Sequence, residues 1–297
     1  MIWLIGNQGM LGTELALLLE SQKIAFVGTD RDVSILDMEA MRSFVKNKTI
    51  SWIINCAAYT AVDKAEDEKE LCTALNAQGP ENLGSLAREI GARVLHISTD
   101  YVFSGKPFLE EGKPRAYRED DPTGPTGVYG KTKAEGERLL MAAAPASVII
   151  RTAWLYGKHG NNFVYTMLRL MKEREAIGVV ADQKGSPTWA YDLATAILYL
   201  INMPKEKLNP GIYHYTNEGE TTWYDFAREI HRLGRLYGLL DRDCVVNPLT
   251  TDQYPTKARR PAYSVLSKEK IKALGVRVPQ WQESLARFIR DLQKTWR

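Results

Sequence analysis

Gly6-Asn7-Gln8-Gly9-Met10-Leu11-Gly12 stands directly between a short apolar run, Ile2 to Ile5, and a segment that puts Leu11, Leu15, Leu18 and Leu19 on one helical face. A strand, a glycine turn and a helix in that order point to a parallel sheet covered by helices. Glycine permits a tight turn and a close backbone approach. The helix that follows offers unpaired N–H groups and the positive end of its dipole. Together these imply a seat for the pyrophosphate of a dinucleotide, built on Gly6, Gly9, Met10, Leu11 and Gly12. The spacing is GxxGxxG, and taken alone it also fits a plain structural turn.

The alternation continues. Strands are expected at Ile24 to Gly28, Trp52 to Cys56, Val94 to Ser98 and Ser147 to Arg151. Helices are expected at Asp37 to Lys46 with Asp37 as N-cap, at Asp67 to Ile90 with a break at Gly79-Pro80, and at Val128 to Ala144. The fold class this predicts is α/β, a Rossmann-like doubly wound parallel sheet over residues 1–153. Past Trp154 helices dominate (Asn162 to Lys172, Tyr191 to Ile201, Trp223 to Leu233, Gln282 to Lys294), and 154–297 reads mostly as a smaller substrate lobe with some segments returning to the sheet. Gly105 to Gly127 reads as a long loop with four prolines, of the kind that often carries function.

Asp30 closes the second strand, where an acidic group bonds adenosine ribose hydroxyls. Arg31 follows, and a guanidinium pairs with a 2′-phosphate. The two pull in opposite directions, so NADH and NADPH both stay open. The third strand ends in Asn55-Cys56-Ala57-Ala58-Tyr59, whose small residues leave room for a ligand above the sheet's carboxyl edge.

Tyr129 and Lys133 are one helical turn apart and share a face. A neighbouring ammonium favours phenolate, so the expectation is a phenol more acidic than usual, suited to acid–base work near neutral pH. With 14 tyrosines in the chain, about one such YxxxK pair arises by chance, so its context carries the weight. The context is Ser98-Thr99-Asp100, a hydroxyl at a strand's carboxyl end able to donate to an oxyanion. Glycine turn, hydroxyl and Tyr-Lys pair converge on reduction of a carbonyl, with Tyr129 giving the proton.

Other chemistries have less support. The net charge of +3 comes from interspersed Lys, Arg, Asp and Glu, without the clustered basic face that nucleic acid needs. The three cysteines, Cys56, Cys72 and Cys244, form no CxxC pair, which points to a reducing, cytoplasmic setting. No apolar run approaches the ~20 residues of a membrane span. The four histidines stand at no metal spacing and read as structural, with His159 set apart by its place beside Asn161-Asn162.

Beyond these local readings, the chain resembles the extended short-chain dehydrogenase/reductases, and within them the reductases of nucleotide 4-keto sugars. The resemblance rests on Gly6 to Gly12, Asn55 to Glu66, Ser98 to Gly105, Tyr129 to Lys133, Arg151 to Gly157, Gly160 to Phe163, Asp182 to Thr188, Thr221 to Asp225 and Tyr254 to Pro261, and covers nearly the whole chain. It implies reduction of the C4 keto group of dTDP-4-dehydro-L-rhamnose to dTDP-L-rhamnose, for surface polysaccharide, with NADPH or NADH. It implies Thr99, Tyr129 and Lys133 as the catalytic set, and Ala57, Ala58 and Tyr59 beside Asp30 and Arg31 along the cofactor. Thr99, Asp100, Phe103, Trp154 and Asn162 would face the sugar, with Arg259 or Arg260 at the diphosphate. The chain departs from the pattern in two places. Ser34 stands where relatives often carry an acidic residue near the adenine. For an interface magnesium, Glu14 and Asp291 fit, but Tyr191 replaces the third acid, so metal-linked pairing is not expected and a homodimer stays open. Sugar-nucleotide dehydratases are disfavoured because Tyr101, not Glu, follows Asp100. An epimerase, or a non-catalytic regulatory subunit like that of methionine adenosyltransferase, is the competing reading.

Overall fold

The computed structural model describes residues 1–294. Its short apolar runs gather into one sheet because they are buried on both faces, which leaves no polar alternation to select an exposed side. Strand β1 (Ile2–Ile5) and strand β3 (Trp52–Asn55) are buried at every position. With β2 (Phe26–Thr29), β4 (Arg93–Thr99), β5 (Val148–Thr152) and β6 (Gly211–His214) they form a six-stranded sheet in the order β6-β5-β4-β3-β1-β2. All five pairings are parallel. The chain leaves β1 toward β2 and returns on the other side at β3. A crevice therefore opens above the carboxyl ends of β1 and β3, where such sheets bind ligands.

Helices cover both faces. On one, Leu11, Leu15 and Leu19 of α1 (Met10–Ser21) pack with Leu193 and Ile197 from the helix Ala190–Ile201. On the other, Met41 of α2 (Met38–Val45) meets Leu83, Leu86 and Leu140. Asp37 caps α2 as expected, accepting from the Ala40 amide at 3.0 Å. The second strand begins two residues later than its apolar pattern suggests. Lys23 takes φ +56°, and the Ile24 amide still closes α1 by donating to Leu19 O.

The expected break at Gly79-Pro80 is absent. The chain runs as α3 (Lys69–Thr73), a π-helical turn (Ala74–Gln78) and α4 (Gly79–Ile90). Pro80 follows directly on the π turn. Within Gly105 to Gly127 a small antiparallel hairpin pairs Phe108–Glu110 with Lys113–Arg115. The helix carrying the Tyr-Lys pair, α5 (Val128–Ala143), follows it. The later helices build a separate cluster in which Tyr156, Phe226, Trp281 and Phe288 pack together. The strand β6 comes from this half of the chain and pairs along β5, so the sheet draws on both halves. Among the described residues no helix is long and apolar enough to cross a membrane.

Candidate active site

A cleft of about 1190 Å³ lies over the carboxyl edge of the sheet. Its floor is the glycine turn. Gly6 has φ +74°, and a Cβ there would stand 2.8 Å from the Ala57 amide nitrogen. Gly12 lets α1 rest on the turn, since a Cβ would come within 2.0 Å of Gly6 O. Gly9, the N-cap of α1, offers no side-chain cap, so the first amides of the helix face the cleft without a local acceptor. The residues fit a pyrophosphate: a cradle that any Cβ would fill, beneath a helix N-terminus. Gly12→Ala is expected to destabilise the fold by about 1–3 kcal/mol through overpacking and to weaken dinucleotide affinity. Denaturant unfolding and a fluorescence titration with NADPH check both.

Met10, Leu11, Asp30, Arg31, Ala57, Ala58 and Tyr59 line the same cleft, and so does Ser34. Asp30 and Arg31 also border a side recess with Asp32. The loop after β3 is held by a residue the sequence did not mark. Asn76, in the π turn and fully buried, accepts from the Tyr59 amide at 2.9 Å and donates to Tyr59 O at 3.0 Å. A π turn inside a helix often serves a functional site. No pattern distinguishes this asparagine from one in an ordinary helix. Asn76→Ala strips both bonds from a part-buried backbone, at about 1–3 kcal/mol. Cofactor affinity is expected to fall with stability, as isothermal titration and unfolding midpoints would show.

Thr99, Asp100, Tyr129, Lys133 and Trp154 meet across the cleft from the glycine turn. Thr99 ends β4; its hydroxyl donates to Asp100 Oδ1 at 3.0 Å and accepts from the Tyr101 amide at 3.2 Å. Tyr129 enters from the first turn of α5, its ring 5.4 Å from that of Tyr101 and edge-on to it. The acidic phenol expected from the Tyr-Lys spacing is corrected. Burial drives Tyr129 above its ordinary value, partly offset by the Thr99 hydroxyl and reinforced by Asp100 and Tyr101. Lys133 turns its amine to β4. Its Nζ donates to Ile97 O at 2.6 Å and meets His96 Nε2 at 3.1 Å, and burial pushes its pKa down to about 8. Burial likewise lifts Asp100 to about 6.

Trp154 adopts φ +50°, a left-handed conformation rare for a bulky side chain. Its ring stacks on Trp223 at 3.6 Å. Such strain gathers at functional sites. Two residues expected at the sugar lie elsewhere. Phe103 is 1% exposed and stacked on Tyr117 at 4.1 Å, so its ring belongs to a core cluster. Asn162 caps the helix Phe163–Glu173, accepting from the Tyr165 amide and donating to Gly157 O, while its neighbour Asn161 faces the cleft. Arg260 is paired with Asp63 and lies 3.4 Å from the Tyr101 hydroxyl; Arg259 is exposed. Among the described residues no three His, Cys, Asp or Glu side chains stand together to hold a metal. Glu14 is buried near His159 and Lys158, and burial raises its pKa, whereas Asp291 pairs with Lys294.

Fold and cleft define a dinucleotide-binding α/β protein in which Thr99, Tyr129 and Lys133 line the same cleft as the glycine turn. The chain belongs to the family described as the RmlD substrate binding domain, whose model matches residues 1–294. It is 41% identical to the dTDP-4-dehydrorhamnose reductase of Aggregatibacter actinomycetemcomitans, over 94% of this chain and 95% of that relative. Its structure is similar to that of a dTDP-4-dehydrorhamnose reductase from Clostridium acetobutylicum, with TM-score 0.89 and 40% identity over 98% of this chain and 99% of the other. It is also similar to the Bacillus anthracis dTDP-4-dehydrorhamnose reductase in complex with NADP, with TM-score 0.88 and 36% identity over 98% of each.

Proposed function

We propose that this chain is an NAD(P)H-dependent oxidoreductase that reduces the C4 keto group of dTDP-4-dehydro-L-rhamnose to dTDP-L-rhamnose. One observation carries the reading: Thr99, Tyr129 and Lys133 line the same cleft as the glycine turn. The family and its relatives' names supply the sugar and the cofactor. When bound, the dinucleotide supplies the hydride. The chain's own groups do the rest. Gly6, Gly9, Met10, Leu11 and Gly12 seat the pyrophosphate; Asp30, Arg31, Ala57, Ala58 and Tyr59 line the remainder.

Hydride delivery turns a carbonyl oxygen into an alkoxide. Thr99, its hydroxyl turned from Asp100, donates to that oxygen, and Tyr129, protonated at neutral pH because burial raises it, gives its hydroxyl proton. Asp100 and Trp154 face the sugar. Arg259, with Arg260 released from Asp63, meets the diphosphate. We read 1–153 as the dinucleotide-binding part and 154–297 as mostly the substrate lobe, working in the cytoplasm with a nucleotide sugar and neither nucleic acid nor membrane as partner.

Loss of 340-nm absorbance with NADPH and with NADH, against a panel of nucleotide 4-keto sugars, tests the reading. Turnover with the dTDP sugar is expected. Tight cofactor binding without turnover of any sugar would overturn it in favour of a regulatory binding module.

A further inference from the structure

Lys133 is almost fully buried, yet no carboxylate is devoted to it. Cys56, just past β3, is raised to about 12 by burial, and Cys72 of α3 is raised for the same reason, so both stay neutral thiols. Glu137, one turn along α5, is taken in a two-toothed pair by Arg151 of β5. Tyr129, one turn before it, keeps its proton. From β4, His96 is the group that touches the amine.

The polarity of the bonds behind His96 follows from a backbone amide that cannot be reversed. The Ala57 N–H donates to Asn55 Oδ1 at 3.0 Å, which fixes which end of the Asn55 amide is oxygen. The Nδ2 end therefore donates to His96 Nδ1, also at 3.0 Å. Asn55 and His96 are register partners on adjacent strands, each 1% exposed, so neither can turn to a water instead. A neutral imidazole carries one proton, and with Nδ1 accepting, that proton sits on Nε2. Nε2 is the atom 3.1 Å from Lys133 Nζ. An N–H facing an ammonium would set donor against donor. A neutral amine resolves the conflict: its lone pair accepts from Nε2–H, and one of its own hydrogens goes to Ile97 O at 2.6 Å.

We propose that Asn55 and His96 are positioning residues that present an N–H donor to Lys133 Nζ in the cofactor-free protein and so ease the loss of the lysine's proton. A ligand that offers Nζ an acceptor in place of His96 favours the ammonium. The pKa of Lys133, pushed down to about 8 chiefly by burial, moves in the same direction. The inference deepens the acid–base reading of the cleft and rests on it for its catalytic consequence, but the hydrogen-bond polarity stands on the bonds of Asn55 alone.

The test uses cofactor-free protein with 15N-labelled histidine and 13Cε-labelled lysine, followed by NMR. His96 is expected to show the Nε2–H tautomer, and Lys133 to titrate near pH 8. Asn55→Asp accepts from both Ala57 N–H and an imidazole Nδ1–H, which flips the tautomer and turns Nε2 into an acceptor for the ammonium. In that variant the Lys133 titration is expected to rise by more than one unit, and the limb of the kcat/KM–pH profile that reports it to move the same way. Should Asn55→Asp fail to fold, His96→Gln, whose Oε1 can accept from the ammonium, is expected to raise the titration likewise. A His96 in the Nδ1–H form, or a Lys133 titration that these substitutions leave in place, overturns the proposal. Because the titration needs no sugar and no turnover, absence of reductase activity would sink the functional reading and leave this one standing.

Discussion

Tyr129→Phe is expected to lower kcat by about 10²–10⁴-fold, the usual worth of a positioned general acid, while the affinity for NADPH stays within a factor of about two. The phenol is half-buried at the first turn of α5, and its hydroxyl is the only part the substitution removes. The ring stays against Tyr101, and the backbone of the turn is untouched. Binding and chemistry therefore separate. Stopped-flow measurement of hydride transfer beside equilibrium titration of NADPH reads each on its own. A Phe variant that turns over like the parent would remove Tyr129 from the proton path and leave Thr99, or a water held by it, as the donor. The pH dependence points the same way. A phenol raised by burial remains an acid throughout the neutral range, so turnover is not expected to fall through loss of that proton below about pH 9.

The site was legible in the sequence wherever chemistry coincides with backbone. The glycine turn announces itself because Gly6 and Gly12 are needed by close contacts that no side chain survives. Thr99 is marked by its position at the end of an apolar strand, and Tyr129 and Lys133 by helical spacing. Spacing does not reveal desolvation. It suggested an ammonium that acidifies a phenol, and burial reverses the sign. Nor does membership in a motif say which way a side chain points. Phe103 follows Asp100 by three residues and turns into a core against Tyr117, while Asn162 is occupied by the helix it caps. Asn76 and His96 were illegible for a different reason. Their partners, Tyr59 and Lys133, come from loops and helices distant in sequence, and an asparagine in a helix or a histidine in a strand carries no local signature. The strand β6 is four residues long and flanked by loops, too short for periodicity to separate it from a turn.

Glu137→Leu is expected to cost about 3–5 kcal/mol of stability, the penalty for leaving one partner of a buried ion pair uncompensated. The Arg151 and Glu137 side chains are 2% and 6% exposed, and Nε and Nη2 of the guanidinium both reach the carboxylate, the shortest contact being 2.7 Å. Without Glu137, the Arg151 guanidinium keeps the face of Phe103, 4.9 Å away, and a more distant attraction to Glu119, neither of which replaces a two-toothed carboxylate in a dry site. Removing both charges is a different experiment. Glu137→Leu with Arg151→Met leaves no stranded ion, and a large part of the lost stability is expected to return, because the pair's attraction is largely offset by its own desolvation. Chemical unfolding of the two single variants and the double variant measures the coupling. Equal and additive losses would show that the pair is not the reason for the cost. The position of the pair ties the fold to the proposed site: Glu137 lies one turn beyond Lys133 on α5 and Arg151 lies on β5, so the bridge pins α5 to the sheet. A double variant that regains stability yet keeps a lowered kcat would show that this anchoring sets where Tyr129 and Lys133 stand.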